Sequence, residues 1–254
     1  MFGMKQWGAA VATAALVTAA HASLISVDFG PQIPDHHDFS GVEADAAAAD
    51  AAFSTANVWN PLRITDYSDL PTTNPAFNAL KDSTGTVTAV SFSIVGSVNG
   101  FDFVSFYNAS PVDALRHDMF FFVGRDTTPT IDWAISGLVA NAAYRFYAYG
   151  TRADQSRLFD MLVDTDGDDL LSDETSKALG STGNDMQHYQ DAYFASVLAD
   201  ANGVIHGRSI GPASAEANWS GFQLASVGAT VPEPATLALL GFGLAGLAFS
   251  RRKQ

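Results

Sequence analysis

The chain has 254 residues, of which 47% are hydrophobic and 16% charged, and it contains no cysteine. Thirteen basic against 27 acidic residues give a formal net charge of −14, which argues against nucleic acid as a partner of the folded part. The lack of cysteine excludes disulfides, thiolate metal sites and a thiol nucleophile. Eighteen Phe, 7 Tyr and 4 Trp can fill the core of one large domain or two small ones.

Residues 1–22 have the pattern of a secretory signal peptide. Lys5 supplies the positive charge, an apolar run covers residues 7–20, and Ala20-His21-Ala22 matches the small-x-small cleavage pattern. We therefore expect signal peptidase to cleave after Ala22, so that the mature chain starts at Ser23. The alternative is an uncleaved membrane anchor, for which the apolar run is short.

Apolar residues at alternate positions predict about ten short strands, separated by Gly, Asn, Asp and Pro. Such a series predicts an all-β fold, either a β-sandwich or a jelly roll. The predicted strands are 24–29, 88–94, 101–107, 117–123, 130–135, 143–149, 157–163, 191–198, 204–207 and 219–227.

The segments between these strands are mostly predicted to be irregular. Residues 42–55 are alanine-rich and offer the best helix, although they have little apolar surface to bury and are equally compatible with an acidic loop. We expect an irregular connection at 69–80 and a long polar excursion at 172–186. Asp35-His36-His37-Asp38 has metal-ligating side chains, but their adjacency and the flanking prolines favour a solvated loop.

A predicted strand at 143–149 carries two tyrosines and an arginine on one face. Strand alternation places Arg145, Tyr147 and Tyr149 opposite Phe146. If Phe146 points inward, these three side chains form an outer stripe on which sugar rings can stack. In the alternative interpretation, which we favour, Tyr147 and Tyr149 belong to the core.

The acidic segment that follows the strand at 157–163 resembles a calcium-binding loop. Five oxygen donors fall at EF-hand spacing, namely the side chains of Asp164, Asp166, Asp168 and Ser172 and the carbonyl of Leu170. Position 6 is Asp169 instead of Gly, and position 12 is Thr175 instead of Glu, although Asp173 or Glu174 offers a substitute. The loop therefore predicts either a weak calcium site or an acidic hairpin without metal, and no other cofactor is indicated.

Motifs of hydrolytic enzymes are absent from the chain. The sequence has no GxSxG nucleophile elbow and no HExxH zinc motif. A pair of catalytic carboxylates cannot be located among so many acidic residues. We therefore predict that the protein is not an enzyme.

The C-terminus from 231 to 254 consists of three parts in order. Pro232-Glu233-Pro234 precedes an uncharged segment at 235–249, and Arg251-Arg252-Lys253 follows it. As a helix the middle part would rise about 22 Å, which suits a transmembrane span in a thin bilayer, with the basic cluster on the cytoplasmic side. Without the two ends, the exported part at 23–230 has 9 basic and 26 acidic residues and a net charge of −17.

This ordered combination resembles the PEP-CTERM sorting signal of Gram-negative bacteria. The resemblance implies that the membrane enzyme exosortase recognises Pro232, Glu233 and Pro234 and removes the tail after transient anchoring in the inner membrane. It also implies a final location at the cell surface or in the extracellular polysaccharide or biofilm matrix. The alternative is a plain C-terminal membrane anchor.

The exported part carries a second resemblance, which rests on several short motifs. They are 26–30 (SVDFG), 58–62 (VWNPL), 80–85 (LKDSTG), 144–152 (YRFYAYGTR), 200–203 (DANG) and 221–224 (GFQL). This pattern is similar to the jelly-roll domain of many PEP-CTERM proteins, whose layout is that of galactose-binding-like domains. The resemblance implies an all-β domain at 23–230 and no particular activity.

These observations together predict a secreted or cell-surface protein with a structural or adhesive role in the polysaccharide matrix. One alternative is a carbohydrate-binding module for the polysaccharide that the cell itself produces. A secreted hydrolase is the other alternative, which the missing motifs disfavour.

Overall fold

The computed structural model describes residues 24–31, 38–54, 58–64, 75–97, 101–105, 114–123, 128, 130–151, 157–183, 188–212 and 216–227. Their regular elements are, in chain order, β1 (Leu24–Pro31), α1 (Ala44–Ala49), a 3-10 turn (Ala51–Phe53), β2 (Asn60–Ile64), β3 (Ala76–Phe77), β4 (Ser91–Ser97), β5 (Phe101–Ser105), α2 (Ala114–His117), β6 (Asp118–Val123), β7 (Thr130–Ser136), β8 (Ala143–Gly150), β9 (Arg157–Val163), β10 (Lys177–Ser181), β11 (Tyr189–Gln190), β12 (Ala192–Leu198), β13 (Ile205–Ile210) and β14 (Glu216–Ser226).

The strands form two seven-stranded sheets. Sheet 1 has the order β12-β8-β14-β1-β2, and β6 pairs with β14 and with β5. Sheet 2 has the order β11-β10-β9-β13-β7-β4-β3. All of these pairs are antiparallel except β1 with β2. The two packed sheets confirm the predicted all-β sandwich.

Side chains that alternate along the strands fill the space between the sheets. In β1, Val27 and Phe29 belong to the central core, whereas Ser26 and Asp28 on the opposite face do not. The centre of the core is aromatic, because Trp133 of sheet 2 stacks on Phe146 of sheet 1 at 5.5 Å between ring centroids. Each fully buried ring contributes roughly 1.5–3 kcal/mol of transfer free energy, so the core provides much of the stability of the fold.

A second apolar cluster lies on the outer face of sheet 1. It joins the outward side chains of sheet 1 to α2 and to the segments on either side of residues 55–57. Its members are Leu24, Phe39, Ala46, Phe53, Trp59, Ala114, Leu115, Tyr147, Tyr149 and Ala225. We name the chain segments at 38–54 and 58–59 the cover, because they bury this face of the sheet.

All ten predicted strands overlap strands of the structure, with small shifts at their ends. The prediction missed β2, β3, β10 and β11, and the excursion predicted at 172–186 contains β10. The helix predicted at 42–55 is α1 followed by the 3-10 turn. Residues 1–23 and 228–254 lie outside the described residues, so the domain boundaries, the signal peptide with Ala20, Ala22 and Ser23, and the transmembrane helix remain predictions.

Candidate functional site

The face beneath the cover carries an aromatic layer. The rings of Tyr147 and Tyr149 are 5.0 Å apart, and Tyr193 lies 6.0 Å from Tyr147. From the cover, Phe53 packs edge-on against Tyr147 at 5.8 Å, and Trp59 lies 5.9 Å from Tyr149. The aromatic side chains of the sheet are thus already in contact with aromatic side chains from elsewhere in the chain.

Arg116 of α2 is the centre of a buried ionic cluster beside this layer. Its guanidinium donates two hydrogen bonds to Asp191, at 2.8 and 3.0 Å, and a third to the carbonyl of Gly150 at 3.1 Å. It also contacts two carboxylates of the cover, Glu43 at 2.9 Å and Asp45 at 3.2 Å. Burial alone would lower the pKa of Arg116, but its hydrogen bonds and the charges around it raise that pKa above its usual value.

Tyrosine side chains complete the surroundings of Arg116. The guanidinium carbon lies 3.7 Å from the ring centroid of Tyr189, a cation–π contact, and Tyr189 donates its hydroxyl hydrogen to Asp45. Tyr147 donates to Asp191 at 2.8 Å. Burial raises the pKa of Tyr147 far above its ordinary value, and the charge of Asp191 adds to this effect. Tyr147 is therefore a hydrogen-bond donor at any physiological pH.

A second ion pair fastens the end of α1 to the sheet. Arg145 lies 2.7 Å from Asp50, and Tyr193 donates to the same carboxylate at 2.9 Å. The Asp50 side chain also accepts a hydrogen bond from the backbone N–H of Ala52, the cap of the 3-10 turn. Partial burial opposes ionisation, but these hydrogen bonds and the charge of Arg145 lower the pKa of Asp50.

Several of the remaining polar groups of the covered face bond one another. Tyr149 donates to the side-chain oxygen of Gln223, whose amide donates to Ser26 at 2.8 Å. At the edge of the sheet, Asp28 accepts hydrogen bonds from Arg63 at 2.9 Å and from the backbone of Phe39 at 3.0 Å. Burial raises the pKa of Asp28 in spite of Arg63.

The structure places Arg145, Tyr147 and Tyr149 on the outward face, with Phe146 in the central core, as the alternation predicts. Tyr147 and Tyr149 are only 5% and 0% exposed, however, because the cover lies over them. They belong to a core cluster, which is the alternative that the sequence analysis favours, and the outer stripe is not exposed. Arg145 remains about one-third exposed, with 30% of its side-chain surface accessible.

The acidic segment is the connection between β9 and β10, which form an antiparallel hairpin. Asp164 is buried, and its two carboxylate oxygens accept hydrogen bonds from the backbone N–H groups of Gly167 at 2.7 Å and Asp169 at 2.9 Å. Glu174 accepts from the backbone and the hydroxyl of Thr165. The carboxylates thus organise the loop from within, as in a hairpin connection.

The same loop brings two groups of carboxylates close enough to share a cation. Asp164, Asp166 and Glu174 form one group and Asp166, Asp168 and Asp173 the other, with ligand atoms within 4.8 Å of one another. Ser172 belongs to neither group, whereas Glu174 and Asp173, the substitutes considered from the sequence, do. The donors are hard oxygens of the kind that calcium prefers, and calcium binding stays a prediction.

A separate cavity of about 230 Å³ opens where β8 begins. Tyr144, Leu138, Val139 and Thr88 contribute to its lining. Its polar groups are largely used within the protein: the hydroxyl of Tyr144 accepts from the N–H of Val139 at 2.9 Å, and Thr88 donates to Leu80 at 2.6 Å. The hydroxyls of Tyr144 and Thr88 are therefore already engaged within the protein.

The buried cluster around Arg116 was not predicted from the sequence. Arg116 lies immediately before a predicted strand, and its partners Glu43 and Asp191 are 73 and 75 residues away along the chain. No local pattern distinguishes these three residues from solvated surface charges. The only hint in the sequence is the acidic character of the alanine-rich stretch at 42–55, which lacks basic residues of its own.

A family model, the PEP-CTERM protein-sorting motif, matches residues 230–253. The chain carries a PEP-CTERM motif. It indicates an exported protein with a C-terminal sorting tail, and PEP-CTERM tails imply processing by exosortase. The matched residues, including Pro232 and Arg251, lie outside the described part of the structure. Among the described residues, no helix has the length and apolar character needed to cross a bilayer.

No curated protein sequence is detectably similar to this PEP-CTERM chain. Solved structures with a similar arrangement include a family 35 carbohydrate-binding module from Clostridium thermocellum (TM-score 0.32, 11% identity, 61% of this chain and 99% of that chain). Another is CBM35 from Cellvibrio japonicus Abf62 (TM-score 0.26, 14% identity, 43% and 73%). A third is the CBM22-1–GH10 part of xylanase 10B from Clostridium thermocellum with xylohexaose (TM-score 0.33, 10% identity, 55% and 27%). At these scores the similarities do not extend to function.

Proposed function

We propose that the protein is an exosortase-sorted component of the cell surface or of the extracellular polysaccharide matrix, where it has a structural or adhesive role. The PEP-CTERM motif at 230–253 carries this proposal. The signal-peptide pattern at 1–22 and the β-sandwich between the two ends support it. The protein is not an enzyme in this proposal, in line with the prediction from its sequence.

Fractionation of the native host tests the sorting step. We expect the wild-type protein at the cell surface or in the matrix, and a variant with Pro232→Ala, Glu233→Ala and Pro234→Ala in the inner-membrane fraction. Leu239→Val, which keeps the tail apolar, serves as the matched control and should be sorted like the wild type. If the triple variant reaches the matrix as efficiently as the control, the Pro-Glu-Pro motif has no role in sorting, and if the wild type and both variants stay in the inner-membrane fraction, the tail is a plain anchor.

A second candidate function is binding of the polysaccharide that the cell produces. The concentration of tyrosine and arginine side chains on one face of sheet 1 supports it, because sugar rings stack on aromatic faces and arginine binds carboxylates. The test is co-sedimentation of the purified full chain with the isolated matrix polysaccharide. Binding above that of a neutral dextran control is expected, and no binding to any fraction of the matrix would exclude this candidate.

A further inference from the structure

Few side chains of the cover make apolar contacts with the sheet. Helix α1 has six residues, five of which are alanine, and Ala46 is the only one of the six that is buried. A helix of this length is not stable on its own in water. Large apolar contacts come from only three side chains of the cover, Phe39, Phe53 and Trp59. The closed position of the cover therefore depends on the burial of these three rings and on its polar contacts.

Three carboxylates of the cover provide most of these polar contacts. Glu43 and Asp45 both contact Arg116, and Asp50 contacts Arg145. Tyr189 of sheet 2 and Tyr193 of sheet 1 donate their hydroxyl hydrogens to Asp45 and Asp50, respectively. Asp45 is 47% exposed, so its contact is open to solvent and to competition from other anions.

Although the exported part has a net charge of −17, the surface beneath the cover carries two guanidinium groups beside one carboxylate, Asp191, and this local charge suits an anionic sugar polymer. The surface combines the rings of Tyr147 and Tyr149 with the guanidinium groups of Arg116 and Arg145. Pyranose rings stack on tyrosine, and uronate carboxylates form charge-assisted hydrogen bonds with arginine. The cover places an aromatic ring against these tyrosines and carboxylates against these arginines, so it makes the contacts that such a polymer would make.

We propose that the cover occupies, in place of a ligand, a binding face for a carboxylate-bearing polysaccharide, and that it opens to admit this ligand. The inference rests on the proposed location of the protein in a polysaccharide matrix. The carboxylates of the polymer replace those of Glu43, Asp45 and Asp50, and its sugar rings replace Phe53 on the sheet. The apparent affinity then equals the intrinsic affinity reduced by the fraction of molecules whose cover is open.

The first test weakens the cover and measures binding of polygalacturonate to the full chain, with neutral dextran as the control ligand. The cover variant is Glu43→Gln, Asp45→Asn, Asp50→Asn. A control variant, Asp166→Asn, Asp168→Asn, Asp173→Asn, makes the same change in net charge at three exposed carboxylates of the acidic loop. We expect polygalacturonate to bind the cover variant about tenfold more tightly than the wild type, and the control variant no more than about twofold more tightly.

Two further measurements separate opening from binding. Amide hydrogen exchange of residues 38–54 should become about tenfold faster in the cover variant and remain unchanged in the control variant. Arg145→Gln, introduced into the cover variant, should remove most of the gain in affinity, because Arg145 is then missing from the uncovered face. Its partial exposure makes this substitution tolerable for folding.

An equal gain in the two charge variants would overturn the proposal, because net charge alone would then explain the binding. Faster exchange of the cover without any gain in binding would overturn it as well. If circular dichroism shows that the cover variant is unfolded, the single variant Asp50→Asn replaces it, with Asp166→Asn as its control. The expected directions of the changes in binding and in hydrogen exchange are then the same. The inference is refuted, and the proposed function left intact, if the wild type binds matrix polysaccharide and the cover variant binds it no more tightly. The proposed function is refuted if the protein is not sorted to the matrix.

Discussion

Replacing Gly207 by alanine should destabilise the protein through a single steric contact in the core. Gly207 of β13 is paired with Trp133 of β7, and the indole lies directly over the glycine. A Cβ atom at position 207 would lie 2.0 Å from Cζ2 and 2.3 Å from Cε2 of Trp133. Since an ordinary contact begins near 3.4 Å, the ring must move by about 1.4 Å.

The surroundings of the ring determine the cost of that movement. Trp133 is 1% exposed, stacks on Phe146 at 5.5 Å and lies 5.4 Å from Trp219, so its displacement disturbs both neighbours. Overpacking of this kind costs about 1–3 kcal/mol, and we place this site at the upper end because the rings of Phe92, Phe146 and Trp219 pack against the indole. The smaller backbone entropy of the unfolded alanine chain offsets about 0.4–1 kcal/mol. The expected loss of unfolding free energy is therefore about 2 kcal/mol.

Urea unfolding monitored by circular dichroism measures this loss, and the melting temperature should fall by about 4–8 °C. The control is Gly207→Ala in a Trp133→Leu background, where the smaller side chain leaves room for the methyl group and the added penalty should largely disappear. A loss below about 0.5 kcal/mol for the single variant, or an equal loss in both backgrounds, would refute the steric explanation.

Three further predictions concern the covered face and the acidic loop. Because burial raises the pKa of Tyr147, the folded state keeps a phenolic proton that the unfolded chain loses above about pH 10. The free energy of unfolding should therefore fall as the pH rises past that value, and it should fall less steeply in Tyr147→Phe. Equal slopes in the two proteins would contradict this linkage. Asp164→Asn replaces the buried carboxylate that accepts charge-assisted hydrogen bonds from the N–H groups of Gly167 and Asp169, so urea unfolding in EDTA should show a loss of about 2 kcal/mol, and an unchanged midpoint would count against this role. Calcium should raise the melting temperature more than magnesium does, and Asp166→Asn should remove the difference; equal effects of the two ions would identify the loop as a hairpin connection without a specific site.

The two faces of sheet 1 are both buried, but different kinds of contact stabilise them. The space between the sheets is almost wholly apolar, with rings such as Phe29 and Trp219 in edge-to-face contact at 4.9 Å. The outer face of sheet 1 is buried as well, but there the contacts combine tyrosines with ion pairs such as Arg116–Asp191. Removing one partner of a buried ion pair leaves an uncompensated charge, so substitution of Arg116 or Asp191 alone should be costly, although both lie outside the central core.

The sequence by itself determined the parts of this protein that depend on local patterns. The alternation of β8 correctly separates Phe146 from Tyr147, because successive side chains of a strand point to opposite faces. The PEP-CTERM motif is likewise a contiguous string of residues, which a family model matches without reference to any fold. Turn residues and short apolar repeats therefore predicted ten strands and the all-β class.

Only the tertiary structure decided which segments of the chain pack on the outward face of a strand. Tyr147 and Tyr149 point away from the central core as predicted, yet they are buried, because a segment about 100 residues earlier in the chain folds over them. Strand β2 pairs in parallel with β1 although β2 contains Pro61. Proline is tolerated there because β2 is an edge strand of sheet 1. Arg116 is held by Glu43 and Asp191 from two distant segments. Such contacts depend on long-range packing, which leaves no periodic signal in the sequence.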